Sequence, residues 1–323
     1  MKVLLIGVGQ AGGKVSQALA EFDHSRGFDA VQDAFAVNTA EADLQELGID
    51  TMLIGQDRVK GHGVGGDNEL GAEIMQAEAT EVLDELDGRA TTEAEAIVVV
   101  AGLGGGTGSG GAPALARELR QVYSVPVYVL GILPGRNEGA LYQANAGRSL
   151  KTVARESDAA ILIDNDAWHS ANETVEEGFA HINAEIAQRV GLLFASGELK
   201  PGDAVAESVV DSSEIINTLR GGGIASLGYA SAEAAPEASE NINTITSLAR
   251  KALMTGMSLP NAVDAEAALL VIAGEPDRIA RKGVERARKW VEEETGSLQV
   301  RGGDFPIERS EERRVGKECI VKC

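Results

Sequence analysis

The sequence predicts an α/β protein: a doubly wound parallel sheet, a long central helix, and a smaller α/β domain after it. Three observations carry that expectation. Short apolar runs alternate with stretches of helical periodicity over the first half of the chain, the pattern of βαβ units. Two of these runs end in glycine-dense turns that open helices, Gly7–Gly13 and Gly104–Gly110. Val175, Phe179, Ile182, Ile186, Val190 and Leu193 then recur at helical spacing, so one helix from about Glu173 to Ala195 buries a face along its length. Such a helix spans about 30 Å, the width of a small domain.

Bulk properties set the bounds. At 323 residues the chain has room for two domains. Only 4% of residues are aromatic, so Ala, Val, Ile and Leu must build the core. No apolar run is long enough to cross a bilayer, and the chain opens directly into a strand, which predicts a soluble, cytoplasmic protein without membrane insertion. A net charge of −21 repels nucleic acid and anionic membranes. The acids are scattered rather than gathered in a tail, which we read as adaptation to a high-salt cytoplasm, where screening makes dense acidic surfaces tolerable. Cys319 and Cys323 lie in the last five residues, so the body has no disulfide framework. His24, His62, His169 and His181 show no metal-ligand spacing, and no metal site built from protein ligands is expected.

The elements follow in order. Lys2–Ile6 is an apolar strand, Gly7–Gly13 a phosphate-suited turn, and a helix runs on to about Phe22. The turn fits GxGxxG, which makes a NAD-binding Rossmann fold the rival reading. It is not a P-loop, because Lys14 is followed by Val15 where Ser or Thr is needed for magnesium. Ala34–Val37 is the next strand, and its end, Asn38-Thr39-Ala40, lacks the acid that holds the NAD ribose. Thr51–Ile54 is a short strand. Gly61–Asn68 is a glycine loop before a helix of about Glu69 to Leu86, capped by Asp67 or Asn68; a plain surface loop accounts for it as well as a binding role does. Ile97–Ala101 is a buried strand leading to Gly104–Gly110, where five glycines in seven residues let backbone N–H groups approach a ligand with no Cβ in the way. Thr107 and Ser109 add hydroxyls, and the following helix presents its positive end, which suits phosphate. Val125–Leu133 and Ala159–Ile163 are further buried strands, the first leaving through Pro134–Gly139.

The heptapeptide Gly-Gly-Gly-Thr-Gly-Ser-Gly at 104–110 resembles the signature of the tubulin/FtsZ family, and the resemblance extends over roughly residues 1–305. It implies a GTP-binding domain over 1–172, a central helix over 173–196 and a C-terminal activation domain over 197–309. On this resemblance Gly9, Gln10, Ala11, Gly12 and Lys14 belong to the first phosphate turn, with Gln10 as in tubulin. Asn38 belongs to the second loop, where Ala40 replaces the family's acid. Gly65, Gly66 and Asp67 form a third loop that approaches the terminal phosphate and supports magnesium, and Gly104, Gly105, Gly106, Thr107, Gly108 and Ser109 form the signature loop. Glu138 is implied to accept from ribose hydroxyls, and Tyr142 stands where FtsZ carries an arginine. Asn145, on the same helix face, resembles an asparagine of tubulin. Asn165 and Asn183 are implied to read the guanine edge, for which an amide offers both donor and acceptor. Without the resemblance Glu138, Tyr142 and Asn145 are polar residues of a helix start, and Asn165 is an ordinary turn residue.

Farther along, Val209–Glu214 resembles the family's NxDxxD loop, with Asp211 and Glu214 at its two acids, Val209 in place of the Asn, and Glu as in alpha-tubulin. Taken alone, the acids are an N-cap and a first-turn acid. The resemblance makes them catalytic residues in another domain, acting on a neighbouring subunit's nucleotide in a head-to-tail stack. The helix Ile215–Leu219, the strand Ile224–Ala230, a helix of about Asn241 to Gly256, the strand Ala267–Ala273, a helix of about Asp277 to Glu294 and the strand Ser297–Arg301 fit the family's second domain. From Ser310 the composition turns basic and cysteine-containing, and a truncated or foreign tail over 310–323, outside the fold, is expected.

Gln10, Ala40, Tyr142, Val209, Glu214 and the acidic surface resemble CetZ, the tubulin-like branch of salt-loving archaea associated with cell shape and motility. The resemblance therefore implies a cytoskeletal GTPase with GTP or GDP and Mg2+ as cofactors. Its partner is a second copy of itself, and any membrane association is peripheral and through adaptors. A division GTPase of the FtsZ type, a NAD-dependent dehydrogenase resting on the first turn alone, and a GTP-binding regulator that does not polymerise are the competing readings.

Overall fold

The computed structural model describes residues 1–89, 92–168, 175–198, 210–260, 264–307 and 317–322. The chain divides into two compact units: residues 2–191 with 222–224, and residues 192–221 with 225–323 and Met1.

The larger unit runs β1 (Val3–Val8), α1 (Gly9–Arg26), β2 (Val31–Asn38), α2 (Glu41–Gln45), β3 (Asp50–Leu53), α3 (Gln56–Val59), α4 (Asn68–Ala77), α5 (Ala79–Asp87), β4 (Ala96–Gly102), α6 (Gly106–Val122), β5 (Val127–Leu133), α7 (Ala140–Glu156) and β6 (Ala159–Asp164). The order across the sheet is β3-β2-β1-β4-β5-β6, and the short β7 (Ile224–Ala225) follows β6. The pairs from β3 through β6 are parallel. β1, β4 and β5 are near-continuous apolar runs buried on both faces, as a parallel sheet covered by helices requires. Strand order reverses between β1 and β4, and the ends of these two strands lie in register, Val8 against Ala101. In an open α/β sheet that reversal is where ligands bind.

Local chemistry explains where the helices stop. α1 closes on Gly27, whose φ of 61° is left-handed. The single helix expected over 69–86 is two: Glu78 leaves helical geometry between α4 and α5, and its Oε1 accepts from the Gly55 N–H at 2.8 Å. The long helix α8 (Val175–Ala195) forms as its periodicity predicts, with Ile182, Ile186, Val190 and Leu193 buried. Its residues through Gly191 belong to the larger unit and those from Leu192 to the smaller.

The smaller unit adds α9 (Ser212–Leu219), β8 (Leu227–Ala232), α10 (Ile242–Thr255), β9 (Ala267–Gly274), α11 (Arg281–Thr295), β10 (Gln299–Pro306) and β11 (Lys317–Lys322). Ile245, Leu248, Leu270, Ile272, Ala287 and Val291 form its core. The strand expected over 224–230 breaks at Ser226, so β7 and β8 join different sheets. The expectation for the tail needs correcting. The sheet order is β10-β9-β11-β8, so β11 is an inner strand, antiparallel to both neighbours, with Val321 opposite Gly228 and Leu270. The change of composition at 310 hid a short segment, Cys319-Ile320-Val321, whose residue types suit a strand.

Candidate nucleotide site at the switch point of the larger sheet

α1 and α6 begin directly at the ends of β1 and β4, without an intervening loop at β1 and after only three residues at β4. Most residues of the two glycine turns are therefore first helical turns, and the glycines do two jobs. A Cβ on Gly108 would stand 2.4 Å from the Gly102 carbonyl oxygen, and one on Gly110 would stand 1.9 Å from that of Asn68. These glycines let α6 lie against β4 and α4. Gly105 has nothing within 4 Å of its Cβ position and faces open space. Only this second kind matches the expectation of glycine clearing a path to a ligand.

Neither α1 nor α6 has a side-chain cap or an acid in its first turn. Their leading N–H groups have no intrahelical acceptor, and each helix end carries partial positive charge. α4 is the contrast: Asp67 caps it, accepting from the N–H groups of Glu69 and Leu70 at 3.0 Å. The bare ends of α1 and α6 open into one cavity of about 770 Å³, within the usual range for small-ligand sites.

The cavity collects most of the residues singled out in the sequence. Gly9, Gln10, Ala11, Lys14, Asn38, Gly65, Gly66, Gly104, Gly105, Gly106, Thr107, Gly108, Glu138, Tyr142, Asn165 and Asn183 all line it. Gly12, Asp67 and Ser109 do not. Gly12 is packed below, its Cβ position 2.2 Å from the Val100 carbonyl oxygen. Ser109 is buried, and its hydroxyl donates to the Gly105 carbonyl. Lys14 pairs with Glu46 at 3.0 Å. Glu138 and Asn165, expected to contact different parts of a nucleotide, are joined: Glu138 Oε1 accepts from Asn165 Nδ2 at 3.0 Å and from the Gly135 N–H at 2.7 Å.

Phe179 and Asp43 are among the lining residues that the sequence does not single out for the site. Phe179 was assigned to the buried face of α8, yet it is 43% exposed and lines the cavity one turn before Asn183. The 3.6-residue period puts it in line with Ile182 and Ile186, but that face overlooks the cavity at this end of the helix. Its spacing of four from Asn183 was the available signal. Asp43 also lines the cavity, and its Oδ2 accepts from Asn38 Nδ2 at 3.0 Å.

Residues 2–173 match the tubulin/FtsZ family GTPase domain, and residues 172–317 match the tubulin-like CetZ C-terminal domain. The chain belongs to the tubulin/FtsZ family. It is 70% identical over 308 residues to tubulin-like protein CetZ2 of Haloferax volcanii, covering 95% of this chain and 85% of that one. CetZ1 of the same organism is 50% identical over 340 residues, covering 96% and 86%. The solved structure of Haloferax CetZ2, a GTPγS-bound protofilament, superposes with a TM-score of 0.93 at 66% identity, covering 100% of this chain and 92% of that one. FtsZ of M. jannaschii, at 20% identity and a TM-score of 0.77 with 99% and 87% covered, shares the fold. This chain is thus a CetZ-type cytoskeletal GTPase.

In this CetZ-type chain the two acids of the smaller unit form a local arrangement of their own. Asp211 caps α9, its Oδ1 accepting from the Glu214 N–H at 3.0 Å and from the Ser213 hydroxyl at 2.5 Å. The Ser213 hydrogen bond leads in holding the Asp211 carboxyl below its ordinary range. Burial, assisted by the Asp211 charge, pushes Glu214 up. Neither acid lines the cavity. Magnesium takes hard oxygen ligands and is commonly held by one or two carboxylates plus substrate phosphates and waters. The cavity offers the Asp43 carboxylate and the Thr107 hydroxyl, and among the described residues no cluster of three His, Cys, Asp or Glu could hold a metal. That donor set fits an ion carried mainly by a nucleotide. No helix among the described residues is long and apolar enough to cross a membrane.

Proposed function

We propose that the cavity binds GTP or GDP with its phosphates on the bare ends of α1 and α6 and its base between Asn165 and Asn183, and that hydrolysis needs a second copy of the chain. The supporting observation is the pair of uncapped helix ends converging on one cavity. Asn165 and Asn183 supply amide edges for guanine, Phe179 an aromatic face, and Glu138 a carboxylate for the ribose. Mg2+ would be held by the phosphates with Asp43 and Thr107, and would offset developing charge on the phosphoryl oxygens. The two glycine turns at these helix ends, Gly7–Gly13 and Gly104–Gly110, offer donors and no general base. Glu214 from the next subunit in a head-to-tail stack fills that role by polarising the attacking water, with Asp211 in support. A carboxylate held above its ordinary range is the better proton acceptor of the two. The same reading puts the protein in a high-salt cytoplasm, in filaments that act in cell shape.

The test is GTP turnover and sedimentation at molar KCl, with rising protein concentration. Wild type should gain activity per subunit as concentration rises. Glu214→Gln should bind GTP, assemble, hydrolyse about 10²–10⁴-fold more slowly and accumulate long-lived polymer. A mutant with normal turnover, or a wild-type rate per subunit independent of concentration, removes the shared site.

A further inference from the structure

α7 carries a buried polar pair that the nucleotide reading leaves unused. Asn145 and Ser149, one turn apart, are 1% and 3% exposed. Such positions on a sheet-covering helix are ordinarily apolar, because burying an amide is unfavourable unless its hydrogen bonds are made. Asn145 Nδ2 spends both hydrogens on two different loops: it donates to the Gly66 carbonyl at 2.8 Å and to the Gly104 carbonyl at 2.9 Å. Gly66 sits at a φ of 85° in the loop that Asp67 joins to α4, and Gly104 begins the signature loop. Both carbonyls belong to residues that line the cavity, whereas Asn145 does not line it. Ser149 makes a simpler contact, its hydroxyl donating to the Ser109 carbonyl at 2.7 Å. It ties α7 to α6 but does not reach the third loop.

We propose that Asn145 is a positioning residue that clamps the third loop to the signature loop, so that this loop is held ready for the terminal phosphate and the protein discriminates GTP from GDP. The proposal rests on the nucleotide reading above and on the family resemblance, which implies that the third loop meets the terminal phosphate. A second loop contact supports it: the hydroxyls of Thr39 and Thr107 meet at 2.7 Å, and the Thr39 carbonyl accepts from the Gly63 N–H at 3.0 Å. The third loop is therefore tied at Gly63 through Thr39 and at Gly66 through Asn145. Removing the amide leaves two loop carbonyls without their donor and frees the Gly66 end alone. GDP lacks the phosphate that this end would meet, so it should notice the loss much less.

Affinities for GTPγS and GDP, measured by titration at molar KCl on wild type, Asn145→Ala, Asn145→Ser and Ser149→Ala, test this. Asn145→Ala should weaken GTPγS about tenfold and GDP less than about twofold. Asn145→Ser, with one donor left, should fall between. Ser149→Ala should lower the melting temperature yet keep the wild-type ratio of the two affinities. Equal weakening of both nucleotides by Asn145→Ala, or a ratio shifted as much by Ser149→Ala, overturns the clamp and leaves Asn145 a packing residue. Wild type that binds neither nucleotide defeats the nucleotide reading instead. Should the Asn145 variants not fold, hydrogen exchange on wild type decides. Protection by GTPγS beyond that by GDP should span Gly65, Gly66 and the α7 amides around Asn145, and protection that omits α7 overturns the proposal.

Discussion

Substituting alanine at two glycines of one motif should separate the two reasons the motif is glycine-rich. Gly110→Ala places a methyl 1.9 Å from the Asn68 carbonyl oxygen, 2.7 Å from the Ala72 nitrogen and 2.9 Å from the Asn68 carbonyl carbon. Ordinary contact begins near 3.4 Å, so α6 and α4 must part by roughly 1.5 Å, and every near atom is backbone. Overpacking of this kind costs about 1–3 kcal/mol, and the upper end applies where no flexible side chain can give way. At about 2–4 °C per kcal/mol for a unit of this size, the melting temperature should fall by about 5–10 °C. Gly105→Ala differs at each step. Its φ of −74° and ψ of 163° suit any residue, and nothing lies within 4 Å of the new methyl. Lost chain freedom stabilises by about 0.4–1 kcal/mol, and the poorer N-cap offsets it, so the melting temperature without nucleotide should stay within about 2 °C. GTP affinity should nevertheless drop by about tenfold or more, because the methyl enters the space through which phosphate reaches the α6 N–H groups. Calorimetry of the nucleotide-free proteins and titration with a fluorescent GTP analogue read both quantities. A Gly110→Ala protein as stable as wild type refutes the packing argument, and a Gly105→Ala protein that binds GTP normally refutes the phosphate argument.

Asn183→Ala should weaken GTP by about 0.5–1.5 kcal/mol, one neutral hydrogen bond, and narrow the preference for GTP over ATP in competition; equal affinity of wild type for both would remove guanine recognition. The Glu214 role carries a pH signature. A carboxylate held above its ordinary range must lose its proton to act, so turnover should decline as pH falls through that raised value, while Asp211, held low, stays ionised; an acid limb unchanged in Glu214→Gln contradicts the assignment. Deleting residues 317–323 removes an inner strand and leaves the facing edges of β8 and β9 without partners, so the smaller unit should unfold at lower temperature, read by calorimetry, with GTP binding by the larger unit retained. Unchanged melting would show that β11 contributes nothing to that sheet.

Local pattern carried the sequence reading a long way. Buried parallel strands are unbroken apolar runs, and a long helix keeps its period over several turns, so β1, β4, β5 and α8 were legible from short windows of chain. Asp67 was legible as a cap because capping is a contact across three residues. The signature heptapeptide marked the site because its composition is rare outside such turns. Elsewhere local pattern misled. Phe179 obeys the helical period and yet faces the cavity, since what covers a helix face is settled by distant segments. Lys317–Lys322 looked foreign by composition and became an inner strand, because two partners far back in the chain supply its hydrogen bonds.

What the chain's residues determined alone was the alternation of strands and helices, the glycine turns, the acidic surface and the family. Tertiary structure decided which glycines clear space for a ligand and which let backbones touch, a distinction of one or two ångströms between segments some forty residues apart. It also decided that Asn145, whose bonds go 79 and 41 residues back along the chain, holds two loops together. A hydrogen bond between segments so far apart in sequence exists only once the sheet order brings them side by side, and no local pattern records that order.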